Sequence, residues 1–95
     1  MKVDWTGPAL TDLESHYDFV ASQNLRAAAD QLSLVLEAVR RLARYPRMGR
    51  VGDVRGTREL VVTGTPYVAV YRVRDDACEI LRVMHGAQQR PFRRR

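Results

Sequence analysis

Cysteine occurs once in this 95-residue chain, lysine once and histidine twice. A single thiol cannot close an internal disulfide, which excludes a small disulfide-held scaffold. Cys78 falls inside a Val- and Ile-rich run and reads as buried packing rather than chemistry. His16 and His85 with one cysteine do not make a zinc site. No apolar stretch approaches the length that crosses a bilayer, and the N-terminus carries no signal-peptide pattern, so a soluble, cytoplasmic protein is expected. Phosphate-cradling glycine loops and a Gly-x-Ser-x-Gly elbow are absent too, which removes the commonest nucleotide-binding and hydrolase signatures.

Arginine, by contrast, is abundant. Sixteen basic residues oppose eleven acidic ones, and fifteen of the sixteen are Arg. The guanidinium is a planar fork of donors suited to phosphate and carboxylate, so the bias points to polyanionic or acidic partners. Arg40, Arg41, Arg44, Arg47 and Arg50 form one cluster, and Arg90, Arg93, Arg94 and Arg95 another. A bias of the coding sequence explains arginine in place of lysine but not the clustering. The length suits one domain over 1–95, ending in a basic tail from about residue 88.

The pattern predicts an α+β fold. Met1–Trp5 alternates like an edge strand. Thr6-Gly7-Pro8 opens a helix on which Ala9, Leu13, Tyr17 and Val20 recur at helical spacing, with Leu10 beside them. Asp12 and Glu14 are expected near the positive end of its dipole, and its end near Ser22-Gln23. Asn24 caps a second helix reaching about Arg44, striped by Leu25, Ala28, Leu32, Val35, Val39 and Leu42. Arg40, Arg41 and Arg44 then lie at its negative end, a structural reason for the first cluster. Phe19 and Leu34 fall off the stripes and Leu36 at an edge, either as isolated exposed residues or as a groove for a partner helix. Tyr45–Val54 reads as a Pro/Gly-punctuated connection. Three Val/Tyr/Ile-rich runs then form an antiparallel meander, broken at Thr63–Pro66 and Arg74–Ala77, with the helical hairpin packed on one face.

Chemistry, if present, would draw on Arg58, Arg72, Arg82 and His85. Cleaving RNA requires activating a 2′-hydroxyl, protonating the leaving oxygen and neutralising phosphate charge. Register decides whether these residues meet. With Asp75-Asp76 as a two-residue loop, Arg72 pairs across from Glu79 on one face with Val68, Val70, Leu81 and Val83, and Arg82 points the other way. A slip by one residue reverses this.

The ordered set Asn24-x-x-Ala27-Ala28, Tyr45-Pro46-x-x-Gly49-Arg50, Gly56-x-Arg58-Glu59-Leu60, Gly64-x-Pro66-Tyr67, Val70-Tyr71-Arg72-Val73 and Glu79–Gly86 resembles the RelE/ParE superfamily of bacterial toxins. The resemblance implies the toxin half of a type II toxin–antitoxin module, silenced in a hetero-oligomer by a partly disordered ParD/RelB-like antitoxin with an acidic toxin-binding segment. It implies no cofactor, metal or membrane partner. RelE-like members cut mRNA in the ribosomal A site; ParE-like members poison DNA gyrase. Where RelE-type sites place lysines, this chain has Glu59-Leu60-Val61-Val62; Val68 stands where they carry an arginine. Their last basic and tyrosine positions fall among Ala87, Gln88, Gln89 and Phe92. The chain is thus closer to ParE-like members. That reading has no catalytic residues; Arg58, Arg72, Arg82 and His85 serve only the endoribonuclease alternative. Phe19, Leu34 and Leu36 are expected to meet the antitoxin, and Arg90, Phe92, Arg93, Arg94 and Arg95 the target.

Overall fold

A computed structural model describes residues 1–86 of the chain. Its elements run β1 (Lys2–Trp5), α1 (Gly7–Ala21), α2 (Leu25–Arg40), a 3-10 turn (Arg41–Ala43), β2 (Arg50–Val51), β3 (Arg58–Val61), β4 (Tyr67–Arg74) and β5 (Ala77–His85). The strands form one mixed sheet in the order β1-β5-β4-β3-β2. The expected meander and N-terminal edge strand are both there, with one addition. The N-terminal strand pairs in parallel with β5 (Lys2 opposite Ala77, Trp5 opposite Ile80). The connection after α2 contributes β2, a two-residue strand beside β3 (Arg50 opposite Glu59).

Local chemistry sets both helix starts. The Thr6 hydroxyl accepts from the Ala9 N–H at 3.3 Å, and Asn24 Oδ1 accepts from the Ala27 N–H at 3.0 Å. Val35, Val39 and Leu42 are buried against Leu60, Val62, Tyr67, Ala69, Tyr71, Cys78, Ile80 and Val83 of the sheet. Cys78 sits in this core with its Sγ toward Leu42 O at 3.6 Å, in the packing role expected of it. Leu25 departs from its predicted stripe: it opens α2 at the hairpin end and is 66% exposed, while Ala38 joins the core.

The Asp75-Asp76 loop holds Arg72 opposite Glu79, as expected, and Asp75 takes the left-handed conformation the tight turn needs (φ 56°). The rest of the expected register fails. An irregularity at Val70/Tyr71 skips Leu81, so Tyr71 pairs with Ile80 but Val70 with Arg82. This bulge puts Arg82 on the same face as Val70 and Arg72, and turns Val83 into the core.

On its other side β5 is paired with β1 as far as Ile80, and beyond it no strand among the described residues covers this edge. Unpaired strand groups must find partners. Helix α1 supplies them: Thr6 Oγ1 donates to Ile80 O (2.7 Å), Asp12 Oδ2 accepts from the Val83 N–H (2.9 Å), and His16 Nε2–H donates to Val83 O (2.8 Å). Asp12 also clamps Arg82 in a fork (2.7 and 3.0 Å). Asp12 therefore lies beyond the first turn of α1 and serves the sheet edge, not the helix dipole as expected.

On the core face, Tyr71 pins the segment after α2. Its hydroxyl donates to Pro46 O (2.7 Å) and accepts from the Gly49 N–H (2.9 Å). Gly49 must be glycine for space: a Cβ there would lie 2.7 Å from Tyr71 Cε1 and 2.9 Å from Glu59 O.

Two stability predictions result. Tyr71→Phe leaves Pro46 O and the buried Gly49 N–H without that partner and should cost about 1–3 kcal/mol in urea unfolding, with faster tryptic cleavage at Arg47. For Asp12, burial works to raise the carboxyl, but the Arg82 and Val83 hydrogen bonds and the Arg82 charge outweigh it and hold it below its usual value. A depressed folded pKa stabilises fully above the unfolded value of 3.8 and loses that contribution as pH falls through the folded value. Asp12→Asn should thus cost about 1–2 kcal/mol at neutral pH, kept modest by the half-exposed Arg82, and the gap to wild type should close below that point in acid denaturation.

Candidate functional site

The four residues available for RNA chemistry do not converge: Arg72 and Arg82 share a face, but His85 lies at a distance along the ladder and Arg58 on the opposite face. Tyr67 pairs with His85 at one end of the β4–β5 ladder and Arg72 with Glu79 towards the other. The five-residue offset along β4 is roughly 17 Å. Arg72 and Arg82 lie on the face away from the helices; Arg58, opposite the core residue Tyr71, lies on the other. Each guanidinium is also engaged: Arg72 Nε with Glu79 Oε1 (2.6 Å), Arg82 with Asp12, and Arg58 Nη1 with Gly49 O (2.8 Å). His85 meets the Tyr67 ring edge-on at 6.0 Å, while His16 stacks on that ring at 4.6 Å. Both histidines therefore pack on Tyr67, and His16 is further held by its hydrogen bond to Val83 O.

Positions that would carry cations in a phosphate-cleaving site build the sheet instead. Glu59 is buried and takes Arg50 Nη2 at 3.0 Å, Arg50 Nε at 3.3 Å and the Asp53 N–H at 3.4 Å. Val68 is buried opposite Met84. Among the described residues no group of three or more His, Cys, Asp or Glu is placed to hold a metal ion, and no helix is long and apolar enough to cross a membrane.

The residues expected to meet a partner are accessible but dispersed. Phe19 is 67% exposed on α1. Leu34 and Leu36 are partly exposed on α2, roughly 200° apart around its axis. Leu34 borders Gly64 in the β3–β4 turn, whereas Leu36 lines a groove with Met1, Val3 and Trp5. Two residues apart on one helix, they cannot line a single trough. Arg90, Phe92, Arg93, Arg94 and Arg95 lie outside the described residues.

A different surface is not evident from the pattern of elements. The segment after α2, which reads as a mere connection, exposes Arg44, Tyr45, Arg47 and Met48 together and runs into a groove lined by Pro46, Arg47, Val51, Arg58 and Val73. The available signal is the run from Arg40 to Gly52, which holds five arginines and no acidic residue.

Comparison with known proteins matches this architecture. The family model described as the ParE toxin of the type II toxin–antitoxin system parDE covers residues 3–90. A protein of Sinorhizobium fredii (strain NBRC 101917 / NGR234) named "Putative toxin Y4kP" is 40% identical over 90 residues, spanning 95% of this chain and 93% of that one. A solved structure titled "Chromosomal ParDE TA system from P. aeruginosa" superposes with a TM-score of 0.82 at 28% identity, over 90% of this chain and 95% of that one. With the strand, helical hairpin and mixed sheet in the same order, the chain belongs to the ParE toxin family of type II toxin–antitoxin systems.

Proposed function

We propose that this ParE-family toxin inhibits growth by poisoning DNA gyrase and is neutralised by its cognate antitoxin. The observation carrying this reading is the dispersal of Arg58, Arg72, Arg82 and His85 over both faces and both ends of the sheet, with each arginine tied to a carboxylate or carbonyl. Acid–base cleavage needs its groups within bonding reach of one phosphate. Trapping a target by binding needs only a rigid surface, and a sheet clamped by α1 supplies one. Gyrase acts in the cytoplasm, and under this reading the toxin acts there with it.

Purified toxin at micromolar concentration should abolish supercoiling of relaxed plasmid by gyrase and accumulate cleaved DNA, with the antitoxin reversing both. Message in a translation extract should stay intact. Unaffected gyrase with a codon-specific cut in the message would replace this reading with the ribosome-dependent endoribonuclease. The arginine tail is the proposed target contact: reversing charge at Arg93, Arg94 and Arg95 should weaken gyrase inhibition by at least about tenfold and leave antitoxin affinity unchanged.

The antitoxin is proposed to use the exposed apolar residues of the hairpin. Phe19→Asp and Leu34→Asp should each lower its affinity by about tenfold or more in calorimetric titration, with the fold intact by circular dichroism. Val35→Asp, which buries a charge in the core, should unfold the chain.

A further inference from the structure

The charges of the chain are sorted by position. Residues 3–25 hold Asp4, Asp12, Glu14 and Asp18 and no Lys or Arg; residues 38–52 hold five arginines and no Asp or Glu. The fold places the acidic residues of α1 away from the arginine segment, whereas β1, with Asp4, starts close to it. Helix α1 runs along the Val83 end of β5, whereas the arginine segment borders β2, β3 and the far end of β4.

At this basic corner Arg50 is paired with Glu59, but most of the remaining charge of the arginine segment has no carboxylate partner among the described residues. Arg44 and Arg47 make no ion pair among the described residues. Among the described residues Arg58 is held by carbonyl oxygens, Gly49 O at 2.8 Å and Arg47 O at 3.5 Å, which leave its charge in place. The Met1 ammonium donates to Ala43 O in the same corner.

Apolar surface lies between these cations. Tyr45 is 56% exposed, Met48 40%, Val51 75% and Val73 42%. Val51 and Val73 line one groove and Tyr45 and Met48 an adjoining one, the two sharing Pro46 and Arg47; scattered singly such residues mean nothing, but gathered in this way they mark an interaction site. Tyr71 anchors the Pro46–Gly49 segment from beneath, so the corner is pre-organised and little ordering entropy is lost on docking.

Charge complementarity selects the occupant. A phosphate backbone would lay its oxygens over Val51, Pro46 and Val73, desolvating them against nothing they can pair with. An extended peptide alternating carboxylates with apolar side chains satisfies both: carboxylates to Arg44, Arg47 and Arg58, apolar groups to the groove floor. We propose that this corner binds an acidic, apolar-anchored segment of the antitoxin, apart from the helical surface of Phe19 and Leu34. The proposal rests on the antitoxin partnership of the ParE family.

The test uses the full-length toxin and its antitoxin in calorimetric titration. The double variant Arg44→Glu/Arg47→Glu and the variant Tyr45→Ala, each shown folded by thermal melting, should raise Kd by at least about tenfold. Arg26→Glu, the same charge reversal near α1, should leave Kd unchanged. A labelled peptide of about ten alternating glutamates and leucines should bind wild type and be displaced by antitoxin, and its lysine counterpart should not bind. Equal Kd for wild type and corner variants overturns the proposal while the antitoxin partnership stands. Antitoxin that fails to bind wild type removes the partnership and the proposal together. Binding of a short single-stranded oligonucleotide, or self-association of the toxin, that is lost in the double variant while antitoxin affinity is unchanged would assign the corner to nucleic acid or to a second copy and likewise overturn it.

Discussion

The rest of the structure depends on how the outer edge of β5 is satisfied. Beyond Ile80 no strand among the described residues pairs with it, and a bare edge invites pairing with other chains. Helix α1 acts there as a surrogate strand, presenting Thr6, Asp12 and His16 to the backbone groups of Ile80 and Val83. Those three bonds set where α1 lies, and so where α2 lies on the core. They also bring His16 onto Tyr67 and draw Arg82 around the edge to Asp12. The Leu81 bulge makes this geometry, because it shifts Val83 inward and turns Arg82 outward within one residue.

Arginine accordingly has two occupations here. On the sheet it is structural: Arg50 with Glu59, Arg72 with Glu79, Arg82 with Asp12. A guanidinium committed to a carboxylate is electrostatically spent with respect to a phosphate. Off the sheet, on the segment that Tyr71 pins, Arg44 and Arg47 make no ion pair among the described residues and face solvent beside Tyr45 and Met48. The same residue type thus builds the scaffold at one place and furnishes a recognition surface at another. Only the neighbouring acids separate the two.

The sequence by itself determined the elements, because their signals are local. Thr6 and Asn24 cap the helices that begin after them, Pro46 ends the helical run before it, and the Val/Tyr runs between Gly64-Thr65-Pro66 and Asp75-Asp76 alternate as strands must. The Arg72–Glu79 pair was legible for the same reason, since a two-residue loop sets register over its first few pairs. So were the buried Cys78 and the exposed Phe19, each fixed by its position within a periodic pattern. The order of motifs carried the family.

Tertiary structure alone decided the rest. Leu81 bears no mark of a bulge, and the contacts that flank it join Asp12 to Arg82 and Val83, residues some seventy positions apart. Asp12 reads as a helix-dipole carboxylate until the sheet edge supplies a stronger partner, and β2 is invisible as a two-residue strand lying in a turn-rich segment. The basic corner likewise becomes a surface only when Val51 and Val73, distant in the chain, meet beside Arg47. Local propensity specifies which backbone each residue adopts; which faces and charges meet depends on long-range packing, where a one-residue shift inverts the outcome.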